Sequence, residues 1–458
     1  MSTFAAMNHW QRILSPLVSS SPWLIATDVV AAGGGIAKEL HTLGAQECFI
    51  VGGSMGTGSV PETPFINLGL SSTSMMGGIR AAEKALDALE PEVVAQVDAW
   101  DPERKARVFR PFFSKGQAVA GRATFGARPQ AWQDLEDKTR IDALWAEAGV
   151  PHAPARIVGT SRAEVLKAWK ELDQGQGVVL SGDSKLGFNG GASYVRWLRE
   201  PEDLDQALPM FQADCDQLRL MPFIEGIPCS IHGFVVPGQI ASFVPCEMLV
   251  FRVPGTGRFS YASAGTTWSP APEDAQAMRT LAKHVGRHLN AHLGYRGAFT
   301  IDGVMSAQGF LPTELNPRVG AAMYPLFSGL DMPITLLHYA AIEGAELDWR
   351  LEELEALVLQ APPRMGRGGL MVSVPQEEQR SWFLGNQAQG FEELPEDQAT
   401  WSVSLGPSPM GGYLRMLTLP GKVEVGPSLA PQMAPLIAHL DATLGLQIGP
   451  LTPARPMR

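Results

Sequence analysis

The sequence predicts an α/β fold in three parts: an N-terminal α/β unit over residues 1–130, a central unit over 131–345 and a small C-terminal α/β unit over 346–458. Three observations predict it. Short apolar runs alternate with stretches of helical spacing, as in strand–helix–strand units. A length of 458 residues suits about three domains. Residues 294–321, GYRGAFTIDGVMSAQGFLPTELNPRVGA, read as a β-hairpin with polar side chains gathered on one face.

Composition removes several function classes. Hydrophobic residues at 45% and charged residues at 18% describe an ordinary globular chain able to bury a core. A net charge of -11 without a basic block argues against nucleic acid as a partner. Cys48, Cys215, Cys229 and Cys246 show neither disulfide nor zinc spacing, so reduced thiols in a cytoplasmic protein are expected. The N-terminus lacks a basic region followed by a long apolar run, and no stretch of about 18 apolar residues suggests a membrane span.

Taken in order, residues 1–20 read as an irregular lead-in. PWLIAT (22–27) reads as a buried strand, 36–43 as a short helix through Ile36, Leu40 and Leu43, and ECFIV (47–51) as a second strand. The strand opens into GGSMGTGS (52–59), where a phosphate cradle competes with a plain turn. Prolines follow instead of a helix and no P-loop lysine is present, which favours the turn. Residues 79–89 read as a helix and 108–113 as a strand weakened by Pro111. Residues 132–149 read as a strong helix carrying Ile141, Leu144, Trp145 and Ala148, ended by Gly149. Residues 155–159, 162–172 and 177–180 read as strand, helix, strand, followed by the Gly-rich loop SGDSKLGFNGGASYV. Paired strands are expected at 230–236 and 239–246, and a long functional loop in FRVPGTGRFSYASAG (251–265). In that loop Arg252 has two readings, a substrate contact and a surface ion pair. Helices are expected at 275–293, within 327–344 and near 429–446, with strands at 369–374 and 413–419.

The hairpin carries the chemistry. Thr300 and Asp302 share one strand face, and Glu314 and Asn316 share another. A three-residue loop over 307–309 with Gly309 left-handed would set Asp302 opposite Glu314. Facing carboxylates repel, so a positive charge should sit between them. Two carboxylates and an amide oxygen form an incomplete set of hard ligands, which suits Mg2+ that also binds substrate phosphates. The competing reading is a solvated hairpin whose acids face water.

GYRGAFTID followed by ELNPR resembles the C-terminal signature of the ATP-grasp superfamily, whose members join a carboxylate to an amine or thiol using ATP. The resemblance covers roughly residues 130–345. It implies an N-terminal pre-ATP-grasp domain, an ATP-grasp fold of two α+β subdomains and a small C-terminal domain. The layout further resembles the peptide ligases of pheganomycin biosynthesis, which implies amide formation in specialised metabolism.

The resemblance also implies roles. Asp302, Glu314 and Asn316 would hold Mg2+. Arg296 and Arg318 would be catalytic, Arg296 steadying the transferring phosphoryl group or the tetrahedral intermediate and Arg318 doing the same or holding the carboxylate. Lys138, otherwise an exposed lysine, would reach the ATP phosphates. Gly187 and Gly190 belong to the loop that would close over ATP. Phe223 and Glu225 lie in LRLMPFIEG, which is similar to the segment against adenine, with Glu225 toward ribose. The family's strand lysine is absent, since Val178-Val179-Leu180 ends in leucine, and Lys185 is the candidate replacement. ATP and Mg2+ are the implied cofactors, and amino-acid-like or peptide carboxylates and amines the implied substrates. A homodimer is left open. A non-catalytic ATP-binding regulator and an acid–thiol ligase are the alternatives.

Overall fold

The computed structural model describes residues 8–111, 118–187, 189–360, 364–387 and 390–457. Its first unit is built on a parallel sheet in the order Phe65–Asn67, Cys48–Ser54, Trp23–Val29, Arg107–Phe109. Trp23–Ala26 is apolar on both faces because helices cover both sides of a parallel sheet. The 108–113 expectation is met only by Arg107–Phe109, and residues 112 and 113 lie outside the described residues.

Three expectations in this unit need correction. The lead-in is a helix, His9–Ser19, with a reciprocal cap between Asn8 and Gln11 and with Trp10, Leu14 and Val18 buried at four-residue spacing. The helix expected at 36–43 spans Val30–Thr42, so the AAGGG run lies inside it. Gly33 allows close approach to the sheet, since a Cβ there would come within 2.8 Å of Ile50. The strand expected at 47–51 runs on to Ser54, so Gly52 and Gly53 are ladder residues rather than a phosphate loop.

The central unit contains a small antiparallel sheet in the order Arg156–Gly159, Gln217–Pro222, Val178–Gly182, Val195–Leu198, backed by helices Arg162–Leu172 and Asp203–Asp214. Through the pairing of Arg196 with Arg258 it joins a long antiparallel run: Gly309–Asn316, Gly297–Ser306, Ile227–Val236, Cys246–Val253 and Arg258–Gly265. Helix Pro272–Leu293 packs on this sheet through Met278, Ala282, Val285 and Leu289, and ends at Gly294 with a φ of 59°. The expected long loop at 251–265 is instead the hairpin of the last two strands named.

The C-terminal segment continues that same sheet through Gly366–Val372, Gly411–Thr418, Trp401–Ser408, Arg380–Gln387 and Gly390–Glu393, covered by helix Ala430–Leu444. All four cysteines are buried and free. Among the described residues no helix is long and apolar enough to cross a membrane.

Candidate active site

The hairpin places Asp302 opposite Glu314 by a route different from the one expected. Its loop has two residues, because Ser306 pairs with Gly309. That register would set Asp302 against Thr313. A bulge between Gly303 and Asp302 absorbs Thr313 and restores the pairing of Asp302 with Glu314 and of Thr300 with Asn316. Thr300, Asp302, Glu314 and Asn316 then line one cleft of about 430 Å³.

Each of these groups is held. Asn316 donates from Nδ2 to Asp302 Oδ2 at 2.9 Å, and Arg318 donates to Asn316 Oδ1 at 3.0 Å. Burial, and then the facing Glu314, push the Asp302 carboxyl up to about 7, while Arg318, Lys138 and the Ser230 hydroxyl pull it back. His232, pushed down to about 3 by burial, stays neutral and bonds the Thr300 hydroxyl at 2.8 Å. Behind Arg318 lies Glu136. Its burial works to raise its pKa, but Arg128 at 2.6 Å and Arg318 at 3.4 Å hold it below the usual carboxylate range.

Lys138 reaches the hairpin because the helix expected at 132–149 is broken. Short helices at Gln130–Gln133 and Ile141–Glu147 flank an irregular segment in which Asp137 Oδ1 takes the backbone N–H and hydroxyl of Thr139. An aspartate that bonds backbone two residues on competes with helix formation. The interruption aims Lys138 at Glu314, with Nζ 2.9 Å from Oε1.

A second, more apolar space of about 200 Å³ opens from the cleft and shares Lys138, Val250 and Glu314 with it. Val179 and Ser181 line it from the small sheet, whereas Leu180 is fully buried under the helices. The cation on this face is Arg219, directly across the ladder from Ser181, held by two bonds of 2.7 Å to Asp142. Phe223 lines the same space and stacks on Trp197 with ring centroids 3.9 Å apart, beneath the Arg252 guanidinium.

Several expected site residues lie elsewhere. Arg296 precedes the strand and rests against Gly344, six residues and about 20 Å from Asp302. Lys185 pairs with Asp216 at 2.6 Å and, with Gly187, faces a separate acidic groove lined by Asp134 and Asp137. It therefore does not replace a lysine at position 180. Glu225 is taken by Arg252 and by the Arg455 N–H, which leaves Arg252 an ion-pair partner. Gly190 does reach the cleft, where its N–H meets Met76 of helix Met75–Asp87 and Arg80 holds the adjacent Asn189 at 2.6 Å.

Sequence reasoning missed Arg219, Ser230, Tyr324 and Arg367, all of which line the cleft or its apolar extension. Ser230 faces Asp302 across the neighbouring strand, a pairing no local pattern reports. Alternation on Gln217–Pro222 could have flagged Arg219 as opposite in face to Leu218 and Leu220.

No sequence-family model matches the chain, and no curated protein matches it in sequence. Solved structures do. The biotin carboxylase domain of Hydrogenobacter thermophilus 2-oxoglutarate carboxylase, in complex with MgADP, ADP and bicarbonate, is similar with a TM-score of 0.53 and 12% identity over 95% of this chain and 91% of that one. The N5-carboxyaminoimidazole synthase of Aspergillus clavatus, in complex with ADP and 5-aminoimidazole ribonucleotide, gives 0.50 and 12% over 93% and 100%. Rhizobium etli pyruvate carboxylase gives 0.55 and 15% over 93% of this chain but 37% of that one. At such identities the likeness concerns the fold. Together with the four-stranded parallel sheet and the large antiparallel sheet whose arms line the cleft, it shows that the chain has the ATP-grasp fold.

Proposed function

We propose that the protein is an ATP-dependent ligase that joins a carboxylate to an amine through an acyl phosphate, releasing ADP. One observation carries this reading: two carboxylates face each other in a cleft ringed by Lys138 and Arg318 and opening into an apolar slot. A free carboxylate resists amines because its leaving group would be oxide. Phosphorylation converts that leaving group to phosphate, so the protein must position and neutralise phosphates rather than supply a nucleophile.

In this reading adenine occupies the slot beside Met221 and Phe223, as the ADP in the neighbouring structures makes reasonable. Lys138 and Arg219 face the phosphates, and the N–H groups near Gly190 cover them. Arg318 steadies the reacting carboxylate or phosphoryl oxygens.

The residues fit Mg2+. Among the described residues no three His, Cys, Asp or Glu side chains are grouped as a closed metal cage. Asp302, Glu314 and Asn316 offer instead an open set of hard oxygens, and the raised Asp302 carboxyl marks a place where positive charge is in demand. Bound there, Mg2+ would neutralise phosphate charge.

The amide formed would be of peptide type, and specialised metabolism its setting, as the resemblance to the pheganomycin ligases implies. A non-catalytic regulator drew on the missing lysine at Leu180; Arg219 across from Ser181 weakens that motive.

The test is ADP release from the full chain with ATP, Mg2+ and pooled acids, amines and thiols, followed by mass spectrometry. The expected result is ADP only when acid and amine are both present, with a product of their summed mass less water. Nucleotide binding without turnover across the panel, or turnover with thiols alone, would overturn it.

A further inference from the structure

One backbone torsion in the wall of the cleft is unlike the others. Among the described residues, Asp331, Ala120, Arg104, Ala192 and Gln447 are non-glycine residues with positive φ, and all lie between 45° and 60°, in or beside the left-handed basin. Ser263 has a φ of 106°, outside that basin and in territory that glycine occupies freely and other residues occupy only under strain. It does so inside strand Arg258–Gly265, not in a turn.

The register gives the local cause. On strand Cys246–Val253 the step from Met248 to Val250 faces the longer step from Ala264 to Tyr261, so a bulge takes up one extra residue. Leu249 and Ala262 share the core beneath helix Ala430–Leu444, which leaves Ser263 as the extra residue. Ala264 lines the cleft, so simple alternation would turn Ser263 toward that core beside its partner Gly368. That side is full: a Cβ on Gly368 would come within 2.7 Å of Met433 and 3.0 Å of Met416. The bulge turns Ser263 the other way, and it lines the cleft between Tyr261 and Ala264.

A glycine would make the same bulge without strain. What the strain retains is therefore the side chain. Ser263 is half-buried, and its hydroxyl has no hydrogen-bond partner among the described residues. A hydroxyl held at such cost and left open is placed for a ligand.

The position narrows which ligand. Ser263 lines the cleft but not the apolar slot assigned to adenine. Three ladder steps, through Cys246–Val253 and Ile227–Val236, separate its strand from that of Asp302, about 14 Å across the sheet. A group bound there is remote from the reacting carbon yet within the same cleft.

We infer that Ser263 is a specificity residue whose hydroxyl hydrogen-bonds a polar group of the organic substrate, away from the carboxylate that reacts beside Asp302 and Glu314. The inference rests on the ligase reading for the bond then formed, but not for the contact.

The test uses the full chain with Mg2+ and ADP present. Ligand-detected NMR with pooled acids and amines finds the strongest binder, which is then titrated against the parent, Ser263→Ala and Ser263→Gly. Alanine removes the hydroxyl and keeps the strain, whereas glycine removes both. Both variants should weaken the binder at least about fivefold, the loss of one hydrogen bond. Their ADP affinity should stay within about twofold of the parent, because the slot is a separate space. The thermal midpoint should stay within about 1 °C of the parent in Ser263→Ala and rise by about 1 °C or more in Ser263→Gly. A Ser263→Gly variant that is more stable and binds like the parent would make the bulge structural alone and overturn the inference. So would a midpoint in Ser263→Gly no higher than in Ser263→Ala, a joint loss of ADP affinity, or a parent that binds none of the pooled compounds. ADP formation is read separately. Serine-dependent binding without ADP release supports the contact and overturns the ligase, and ADP release untouched by either substitution does the reverse.

Discussion

Two strands line the cleft and the apolar slot that opens from it, and supply them differently. The hairpin strand Gly297–Ser306 and its partner carry their own charge on the cleft face, through Asp302, Glu314 and Asn316. The strand Val178–Gly182 carries none: Val179 and Ser181 face the apolar slot, and Leu180 packs beneath helices. Its cation is lent by Arg219 from the next strand, at the position opposite Ser181. A sheet face belongs to the sheet, so a charge missing from one strand's motif can be present one ladder step away. The first is readable along the chain; the second is readable only across it.

The sharpest way to break this comparison is to restore the absent lysine. Leu180→Lys places an ammonium group in the core of Val165, Leu204 and Phe211, where no partner waits. The expected cost is about 3–5 kcal/mol of stability, measured by chemical denaturation. Ser181→Lys, whose side chain enters the cleft, should cost at most about half as much. Equal costs would show that position 180 does face the nucleotide. On the hairpin the expected effect falls on activity instead. Asp302→Asn should lower ADP formation at least ~100-fold, about 2.7 kcal/mol, while leaving thermal stability equal or higher, because it removes one of two facing acids. Activity within threefold of the parent would remove Asp302 from the site.

The same contrast explains how much was legible. Alternation alone put Asp302 and Glu314 on facing positions, although the loop was read one residue too long; the Thr313 bulge compensated for that error. The stripe Ile141, Leu144, Trp145 suggested a continuous helix from 132. The Asp137 side chain interrupts it, and the interruption is what delivers Lys138 to Glu314. Arg296 was misplaced because proximity in sequence to Asp302 is about 20 Å of strand in space. Arg367 was invisible for a third reason: its strand joins Arg258–Gly265 across about 100 residues of chain, and no local spacing encodes that register.

A smaller effect is expected where the cation is lent. Arg219→Gln should weaken ADP binding by calorimetry about tenfold, or 1.4 kcal/mol. It should also flatten the salt dependence of that binding, since one charge facing the phosphates is gone. Thermal denaturation checks that loss of the Asp142 pair, with Asp142 at 20% side-chain exposure, has not unfolded the sheet. Unchanged affinity and salt dependence would mean that Arg219 serves Asp142 alone.

The smallest effect sharpens the comparison most at its edge. Lys185 lies in the Gly-rich loop that sequence alone nominates as the source of charge, yet its ammonium group pairs with Asp216, with side-chain exposures of 42% and 69%. Exposed ion pairs contribute little once water screens them, and this one points to a groove that Lys138 and Glu314 do not line. Lys185→Ala should therefore change ADP affinity less than twofold. It should change the affinity of Arg219→Gln no further, because the two residues face different spaces. A tenfold loss on Lys185→Ala, greater than that on Arg219→Gln, would reverse the assignment. It would mean that the loop turns inward around bound nucleotide and that charge on this side comes from the loop rather than from the neighbouring strand.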